Sequence, residues 1–305
     1  MYDTVNLWYD RVNIADRKPF AVLPHLSEIT EKQSEKEGYC CYGKCLDYSV
    51  SCYETGISLK GSLAKSYFDG DNTGTMTRRA TQNAVQKISD CLHLDLNKAQ
   101  VVRFDVASII PTKRPPTDYY RFLGEKPFFK RLQTNFETLY YNNHQKQIIF
   151  YDKRKEIKSV PEILKNENIF RYELRFLKRI KSQMKIEVTT KTLYDENFYM
   201  KVVKSWYDEF MSIQKINKHN IMINNITTVK EAENALFTYA LQQLGQNTID
   251  EFLDELKSKN TFKERQRYYE LKKKLNDILT APRGEKSDLI LELERDIYNI
   301  SKYAR

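Results

Sequence analysis

Three short segments of this chain alternate apolar residues with charged or hydroxyl residues, and this alternation restricts the fold more than any other feature. They are residues 102–106 (VRFDV), 148–153 (IIFYDK) and 170–175 (FRYELR). Because successive side chains of a β-strand point to opposite faces, each segment predicts a strand with one apolar and one polar face. The apolar faces are suited to packing on helices, which leaves the polar faces free. The pattern predicts a β-sheet with helices on one side, a fold of the α+β class.

The polar faces of these predicted strands carry side chains with complementary chemistry. Residues two apart share a face of a strand. Arg103 is therefore expected to share a face with Asp105, Tyr151 with Lys153, and Arg171 with Glu173 and Arg175. Asp105 and Glu173 are hard oxygen ligands of the kind that hold Mg²⁺ or Mn²⁺. Such an ion would polarise a phosphodiester, and the arginines can clamp a phosphate through paired hydrogen bonds. The three segments together predict an active site.

Tyr151 is the best candidate nucleophile in this set. A free phenol has a pKa of about 10, so its attack on phosphorus needs help from a nearby cation or metal. Lys153 is expected to lower that pKa or to neutralise a phosphate oxygen. The competing interpretation is a half-exposed sheet in which Asp105 and Glu173 form a structural ion network with arginines and Tyr151 packs.

Composition points to a polyanionic partner. The chain has 305 residues, 50 Lys plus Arg against 41 Asp plus Glu, and a net charge of +9. It also has 21 Tyr and 15 Phe. Cations neutralise phosphates and aromatic faces stack on unpaired bases, so this balance suits nucleic acid, although many basic proteins bind none.

The sequence favours a cytoplasmic protein without a membrane partner. Its first eight residues lack the basic and apolar run of a secretory signal, and no segment approaches the roughly 20 apolar residues of a membrane span. Four of the five cysteines cluster at positions 40, 41, 45 and 52. A zinc site there is one interpretation, but the spacing is not a paired C-x-x-C motif, which favours free thiols in a reducing compartment.

The remaining patterns predict two domains. Strands are expected at 1–10 and 48–59, a helix from Thr77 to about Leu92 with Thr77 as N-cap, and a hairpin turn at 142–145. Beyond residue 189 long helical patterns cover 191–214, 229–244, 248–258, 261–280 and 285–303, with a break at Pro282 and Gly284. We therefore expect a catalytic domain at 1–188 and a helical C-terminal domain at 189–305.

The ordered motifs resemble the replication initiators of filamentous phages and related plasmids, the gene II/X family of rolling-circle Rep endonucleases. The resemblance depends on Arg103-Phe-Asp105, on residues 138–142 leading through a hairpin to Tyr151-Asp-Lys153, and on Arg171-Tyr-Glu173-Leu-Arg175. Residues 1–5 and 61–65 are also similar to the family's N-terminal half. The set covers about residues 1–200 and is moderately specific, where any single motif is weak.

This resemblance implies an antiparallel Rep/HUH-like sheet and a site-specific nickase that cuts one strand of single-stranded or supercoiled origin DNA. The family tyrosine, which keeps a 5′-phosphotyrosine link and leaves a 3′-OH for a polymerase, matches Tyr151 in its Tyr-x-Lys motif. The flanking acidic residues match Asp105 and Glu173. Related HUH enzymes bind metal with a His-hydrophobic-His pair, and this chain has no His-x-His. Host helicase and polymerase are the further partners implied, in the cytoplasm of a bacterial host.

Two other functions compete with this one. A non-catalytic DNA-binding regulator on the same fold would use the basic surface without forming a covalent adduct. A metal-dependent nuclease that uses water would cut DNA while Tyr151 merely packs. The helical C-terminal region could serve DNA, a host helicase or a second copy of the chain.

Overall fold

The computed structural model describes residues 1–34, 38–135, 137–156, 167–216, 227–280 and 286–304. Its strands are β1 (Tyr2–Asp10), β2 (Ser27–Ser34), β3 (Gly38–Cys45), β4 (Tyr48–Tyr53), β5 (Gly56–Ser62), β6 (Gln100–Thr112), β7 (Lys130–Thr134), β8 (Thr138–Asn142), β9 (Lys146–Asp152) and β10 (Asn168–Phe176). They form one antiparallel sheet in the order β2-β3-β4-β5-β1-β6-β10-β9-β8-β7. The predicted α+β class is confirmed.

The helices are α1 (Leu63–Tyr67), α2 (Arg78–Leu92), α3 (Pro116–Tyr120), α4 (Ile180–Met184), α5 (Thr190–Leu193), α6 (Glu196–Met211), α7 (Val229–Ser258), α8 (Arg265–Thr280) and α9 (Asp288–Tyr303). The predicted N-cap is present, because the Thr77 hydroxyl accepts a hydrogen bond from the Ala80 amide at 3.1 Å. This bond satisfies one of the amides that a helix start leaves unpaired. Short 3₁₀ helices lie at residues 11–13, 15–17, 19–25, 96–98 and 153–155.

One face of the sheet is buried under helices, as the alternation predicted. Tyr172 of β10 stacks on Trp206 of α6 with ring centroids 4.6 Å apart, and its hydroxyl donates to the Trp206 carbonyl at 2.7 Å. Phe150 of β9 also stacks on Tyr172, at 5.0 Å. Buried aromatic rings of this size dominate core energetics, so α6 fixes the apolar side of β9 and β10.

The helices beyond residue 189 belong to two apolar clusters. Residues of α6 and α9 share the core of the sheet, and Glu292 of α9 accepts hydrogen bonds from the Tyr119 hydroxyl at 2.8 Å and the Lys113 amide at 3.0 Å. Helices α7 and α8 pack on each other through a separate cluster that includes Leu241 and Leu275. The helical C-terminal region is thus confirmed, whereas the division of the chain at residue 189 stays a prediction.

Several predicted elements differ from the structure. The segment 48–59 forms a hairpin of β4 and β5, because the turn between them ends one strand and starts the next. Strands β2 and β3 precede this hairpin, and the clustered cysteines on β3 and β4 are buried free thiols. The patterns at 229–244 and 248–258 are one continuous helix. The break at Pro282 and Gly284 lies outside the described residues.

Lys215, just past α6, gives the fold a testable pH dependence. Burial lowers the pKa of Lys215 to about 7, with Glu294 opposing the shift and Lys286 adding to it. Its ammonium donates to the carbonyls of Phe210 and Ile213 at 2.6 and 2.7 Å. In the unfolded chain Lys215 keeps a pKa near 10.5, so the unfolded state binds more protons between these two pKa values and stability rises with pH across that window.

We expect the free energy of unfolding of the wild type to fall relative to Lys215→Met as pH decreases from about 10 to about 7. The loss should be about 2–4 kcal/mol, measured by urea unfolding at several pH values. Lys204→Met, which changes a lysine on the exposed side of α6, is the control and should show no such pH-dependent difference. Parallel pH profiles for wild type and Lys215→Met would contradict the assignment.

Candidate active site

The three segments singled out in the sequence form adjacent strands at the centre of the sheet. Strand β10 pairs with β9 on one side and with β6 on the other. The register places Arg171 opposite Tyr151 and Arg175 opposite Asp105. Directly opposed residues share a face, so the polar residues of all three strands lie on the face that points away from the core.

A cleft of about 280 Å³ opens on this face. Tyr151, Lys153, Glu173 and Arg175 line it, so four of the predicted site residues meet there. It is completed by Asp3, Thr4, Ser62, Lys65, Asn72, Thr138, Tyr140, Ile149 and Glu156. Asp105, Arg103 and Arg171 are not among the lining residues. Three cations, three carboxylates and two phenols thus converge on one concave site, as is typical of a binding site.

Lys153 reaches the cleft by a route different from the predicted one. Strand β9 ends at Asp152, and Lys153 starts a 3₁₀ turn in which the Asp152 side chain accepts from the Arg154 amide at 3.0 Å. The turn brings the Lys153 ammonium to 5.8 Å from the centre of the Tyr151 ring. It also forms an ion pair with Glu156 at 3.1 Å. The Tyr-x-Lys pair is therefore assembled by a turn at the end of a strand.

Arginines surround the two carboxylates predicted as metal ligands. Arg103 holds Asp105 through two hydrogen bonds, of 3.0 and 2.6 Å. Arg175 Nε lies 2.8 Å from Glu173 Oε1 and 3.6 Å from Asp105 Oδ2, so it sits between the carboxylates. Burial raises the pKa of Asp105 to about 6; the hydrogen bond from Arg103 opposes the shift, and the charge of Glu173 adds to it. Each of the two carboxylates is thus paired with an arginine in the absence of a ligand.

This donor set fits a magnesium-like ion in its chemistry. Mg²⁺ keeps several waters and is commonly held by one or two carboxylates together with substrate phosphates. Asp105 and Glu173 supply two such oxygens, whereas the structure as described contains no group of three or more His, Cys, Asp or Glu side chains that could hold a metal by themselves. His144 lies in the turn between β8 and β9 and is not among the residues that line the cleft. Phosphate oxygens and water would have to complete the coordination.

Behind the cleft, Arg171 and Asp3 form a buried ion pair that the sequence did not reveal. Arg171 is 2% exposed and pairs with the Asp3 carboxylate, which also accepts hydrogen bonds from Ser62 at 2.8 Å and Asn72 at 3.4 Å. Burial alone would raise the pKa of Asp3, but Arg171, the hydrogen bond from Ser62, the charge of Lys153 and the hydrogen bond from Asn72 outweigh it and lower that pKa. Arg171 therefore faces β1, and its role as a phosphate ligand stays a prediction.

The signal for Asp3 was present but isolated. The segment 1–10 was predicted as a strand, and Asp3 is a charged residue between buried Tyr2 and half-buried Thr4. The pairing of β1 with β6 shifts register between Tyr2 and Val5, so regular alternation does not place Asp3 on the open face. A carboxylate beside such an irregularity cannot be assigned to a site until the neighbouring strand is known.

The electrostatics of the cleft keep the phenol protonated and the amine less basic. Burial raises the pKa of Tyr151; Arg171 opposes the shift, and the negative charge of Glu173 adds to it. Burial also lowers the pKa of Lys153, as does the charge of Arg171, while Glu156 opposes both. Burial raises the pKa of core tyrosines such as Tyr120 and Tyr172 in the same way, so the shift at Tyr151 reports burial and is not a mark of function.

One family of known proteins matches most of the segment that carries the site. This family, Phage_CRI, is described as the N-terminal part of a phage replication-associated protein, and it matches residues 15–209. The chain belongs to this family. This match confirms the phage replication family predicted from the ordered motifs. No curated protein matches the chain.

The family segment contains Asp105, Tyr151, Lys153 and Glu173, whereas Asp3 precedes it. The catalytic, metal and phosphate roles of these residues stay predictions, because family membership does not assign them. Among the described residues, no helix combines the length and apolar character that crossing a bilayer requires.

The buried ion pair behind the cleft can be tested through stability. Asp3→Ala leaves buried Arg171 with only the more distant carboxylate of Glu173, 3.9 Å from its Nε, so we expect a loss of about 2–4 kcal/mol in the free energy of unfolding. Asp208→Ala removes the partner of Lys204 in an exposed pair on α6 and should cost about 0.5 kcal/mol or less. Denaturant unfolding of both variants checks this, and equal small losses would show that Asp3 does not hold Arg171.

Proposed function

We propose that this protein nicks one DNA strand at a replication origin through a covalent 5′-phosphotyrosine at Tyr151, and then rejoins the displaced strand in rolling-circle replication of a phage or plasmid. One observation carries the proposal: Tyr151 lines a cleft with Lys153, Arg175 and Glu173, inside the segment that matches the replication-associated family. Origin DNA, single-stranded or supercoiled, is the substrate in this proposal. A host helicase and polymerase would act on the displaced strand and the new 3′ end.

In the proposed transesterification, Tyr151 is the nucleophile and the cations of the cleft stabilise the phosphate. The Tyr151 oxygen forms a bond to phosphorus, the bond from phosphorus to the 3′ oxygen breaks, and that oxygen leaves as a 3′-OH after taking up a proton. Rejoining reverses the step, because a 3′-OH attacks the phosphotyrosine and the phenol is restored. Lys153 and Arg175 are the cations placed to neutralise the phosphate oxygens, as charge develops on them.

The proton on Tyr151 explains why the cleft needs both signs of charge. Because burial raises the pKa of Tyr151, the phenol stays neutral in the free protein and is a poor nucleophile. Glu156 lines the same cleft and is the carboxylate proposed to accept its proton, since Glu173 is proposed as a metal ligand. Asp105 and Glu173 would hold Mg²⁺ or Mn²⁺, which supplies polarisation of the phosphodiester when bound.

The nucleophile is tested by trapping the adduct. Purified protein is mixed with Mn²⁺ or Mg²⁺ and supercoiled or single-stranded DNA of its own replicon, and SDS-stable protein–DNA adducts are counted. Tyr151→Phe should lower adduct formation and nicking about 1,000-fold or more, because the attacking oxygen is gone. Tyr140→Phe is the matched control, since Tyr140 lines the same cleft on β8, and it should keep the activity within about 10-fold.

Three other outcomes would support a different function or a different nucleophile. Nicks without an adduct in the wild type would assign the attack to water and overturn the tyrosine mechanism. Binding without cleavage of the true origin would favour the non-catalytic regulator. Adducts that persist in Tyr151→Phe but vanish in Tyr140→Phe would move the nucleophile to the neighbouring strand.

The metal proposal has a readout that does not depend on activity. Mn²⁺ in the presence of an origin oligonucleotide should raise the melting temperature of Tyr151→Phe protein, because a ligand that binds the folded state stabilises it by mass action. Glu173→Gln, combined with Tyr151→Phe, should abolish most of this rise in melting temperature. Asp208→Asn, on the exposed side of α6, should leave it unchanged. An increment that survives both Glu173→Gln and Asp105→Asn would place any metal elsewhere.

A further inference from the structure

The open face of the sheet extends well past the cleft. On β1, β5 and β4 the register aligns Asn6 with Lys60 and Ser49, and Trp8 with Ser58 and Ser51. The alternate residues of these strands, such as Leu7, Leu59 and Val50, are buried in the core. This half of the face is therefore lined by hydroxyl, amide and lysine side chains.

Two aromatic residues interrupt this polar surface. Trp8 of β1 and Tyr53 of β4 lie with ring centroids 6.3 Å apart, and both are half-buried. The indole lies against Gly56 of β5, where an added Cβ would come within 2.8 Å of a Trp8 ring carbon. Glycine at this position leaves room for the ring to extend across β5 towards Tyr53. The pair forms an aromatic platform, named here the Trp8–Tyr53 platform.

A path of basic side chains joins this platform to the cleft. Tyr151 is level with Ile109 of β6, and Trp8 is level with Gln100, nine residues along the same strand. The diagonal from β9 to β1 is roughly 30–35 Å, enough for several nucleotides of an extended strand. Arg175 and Arg103 lie between the two ends, and each exposes 30% of its side chain.

We propose that the Trp8–Tyr53 platform binds unpaired DNA bases several nucleotides from the phosphate in the cleft. Bases of any sequence present a π-face, and stacking on an aromatic side chain is worth about 1–3 kcal/mol per base. Arginines and lysines along the path match the phosphates of the same strand. The inference rests on the proposed function, because it takes single-stranded origin DNA as the occupant of the face.

The first test compares two oligonucleotides of the origin strand, one about five nucleotides long around the nick and one extending about ten nucleotides on each side. Trp8→Ala should weaken binding of the long oligonucleotide by about 10-fold and leave binding of the short one unchanged, measured by fluorescence anisotropy in EDTA. Tyr269→Ala, which removes an aromatic ring that is 70% exposed on α8, should change neither.

The second test uses tryptophan fluorescence and does not require that Trp8 be replaced by a much smaller residue. The chain has two tryptophans, and Trp206 is fully buried, so quenching by the long oligonucleotide should come from Trp8. Trp8→Phe preserves an apolar ring and the fold, and should lose that quenching. Unchanged affinity for the long oligonucleotide in Trp8→Ala, or no quenching in the wild type, would overturn the platform.

Failure of this inference and failure of the proposed function give different results. If the platform is wrong, Tyr151→Phe still abolishes adducts while Trp8 variants bind all oligonucleotides like the wild type. If the nickase is wrong, adducts are absent in the wild type, but a length-dependent effect of Trp8→Ala on binding can still be measured.

Discussion

The residues of β10 face two environments at once, and the rest of the structure depends on this division. Every second residue from Phe170 to Phe176 is buried under the helices, while Arg171, Glu173 and Arg175 point to the open face. A register shift of one residue would place three charges in the core. The packing of β10 against α6 therefore fixes the charged face as firmly as the apolar one.

This arrangement turns core packing into positioning of the site. Catalytic groups work best when they are held by rigid elements and do not have to reorganise during reaction. Glu173 and Arg175 are on a central strand with a paired neighbour on each side, and Asp105 is on the next strand. Lys153 is on a turn, held by an ion pair to Glu156. The sheet thus positions the carboxylates of Asp105 and Glu173, whereas the position of the Lys153 ammonium depends on its contact with Glu156.

The charges of the open face are largely balanced before any ligand binds. Asp3 pairs with Arg171, Asp105 with Arg103, and Glu173 with Arg175. Buried charges need partners of this kind, since an unpaired one costs several kcal/mol. A phosphate that enters the cleft would compete with Glu173 for Arg175, and this exchange would free a carboxylate oxygen. In the proposed reaction, substrate binding would thus release a ligand for a cation through one guanidinium.

Alternation of period two was sufficient to find the central strands and most of their polar residues, because that signal is local and repeats along each strand. It missed Asp3, where the pairing of β1 is irregular, and it extended β9 through Lys153, since a lysine continues the pattern whether the chain is strand or turn. The Trp8–Tyr53 platform could not be predicted, because it depends on the pairing of β1 with β5 and β4 and on Gly56 between them.

The raised pKa of Tyr151 implies an order of events in the proposed reaction. In the free cleft the phenol is neutral, since burial and the charge of Glu173 disfavour the phenolate. A phosphate bound beside it adds negative charge and by itself would raise that pKa further. Proton removal therefore has to accompany bond formation, or a cation has to arrive with the phosphate. In the proposed reaction the tyrosine therefore keeps its proton until DNA occupies the cleft.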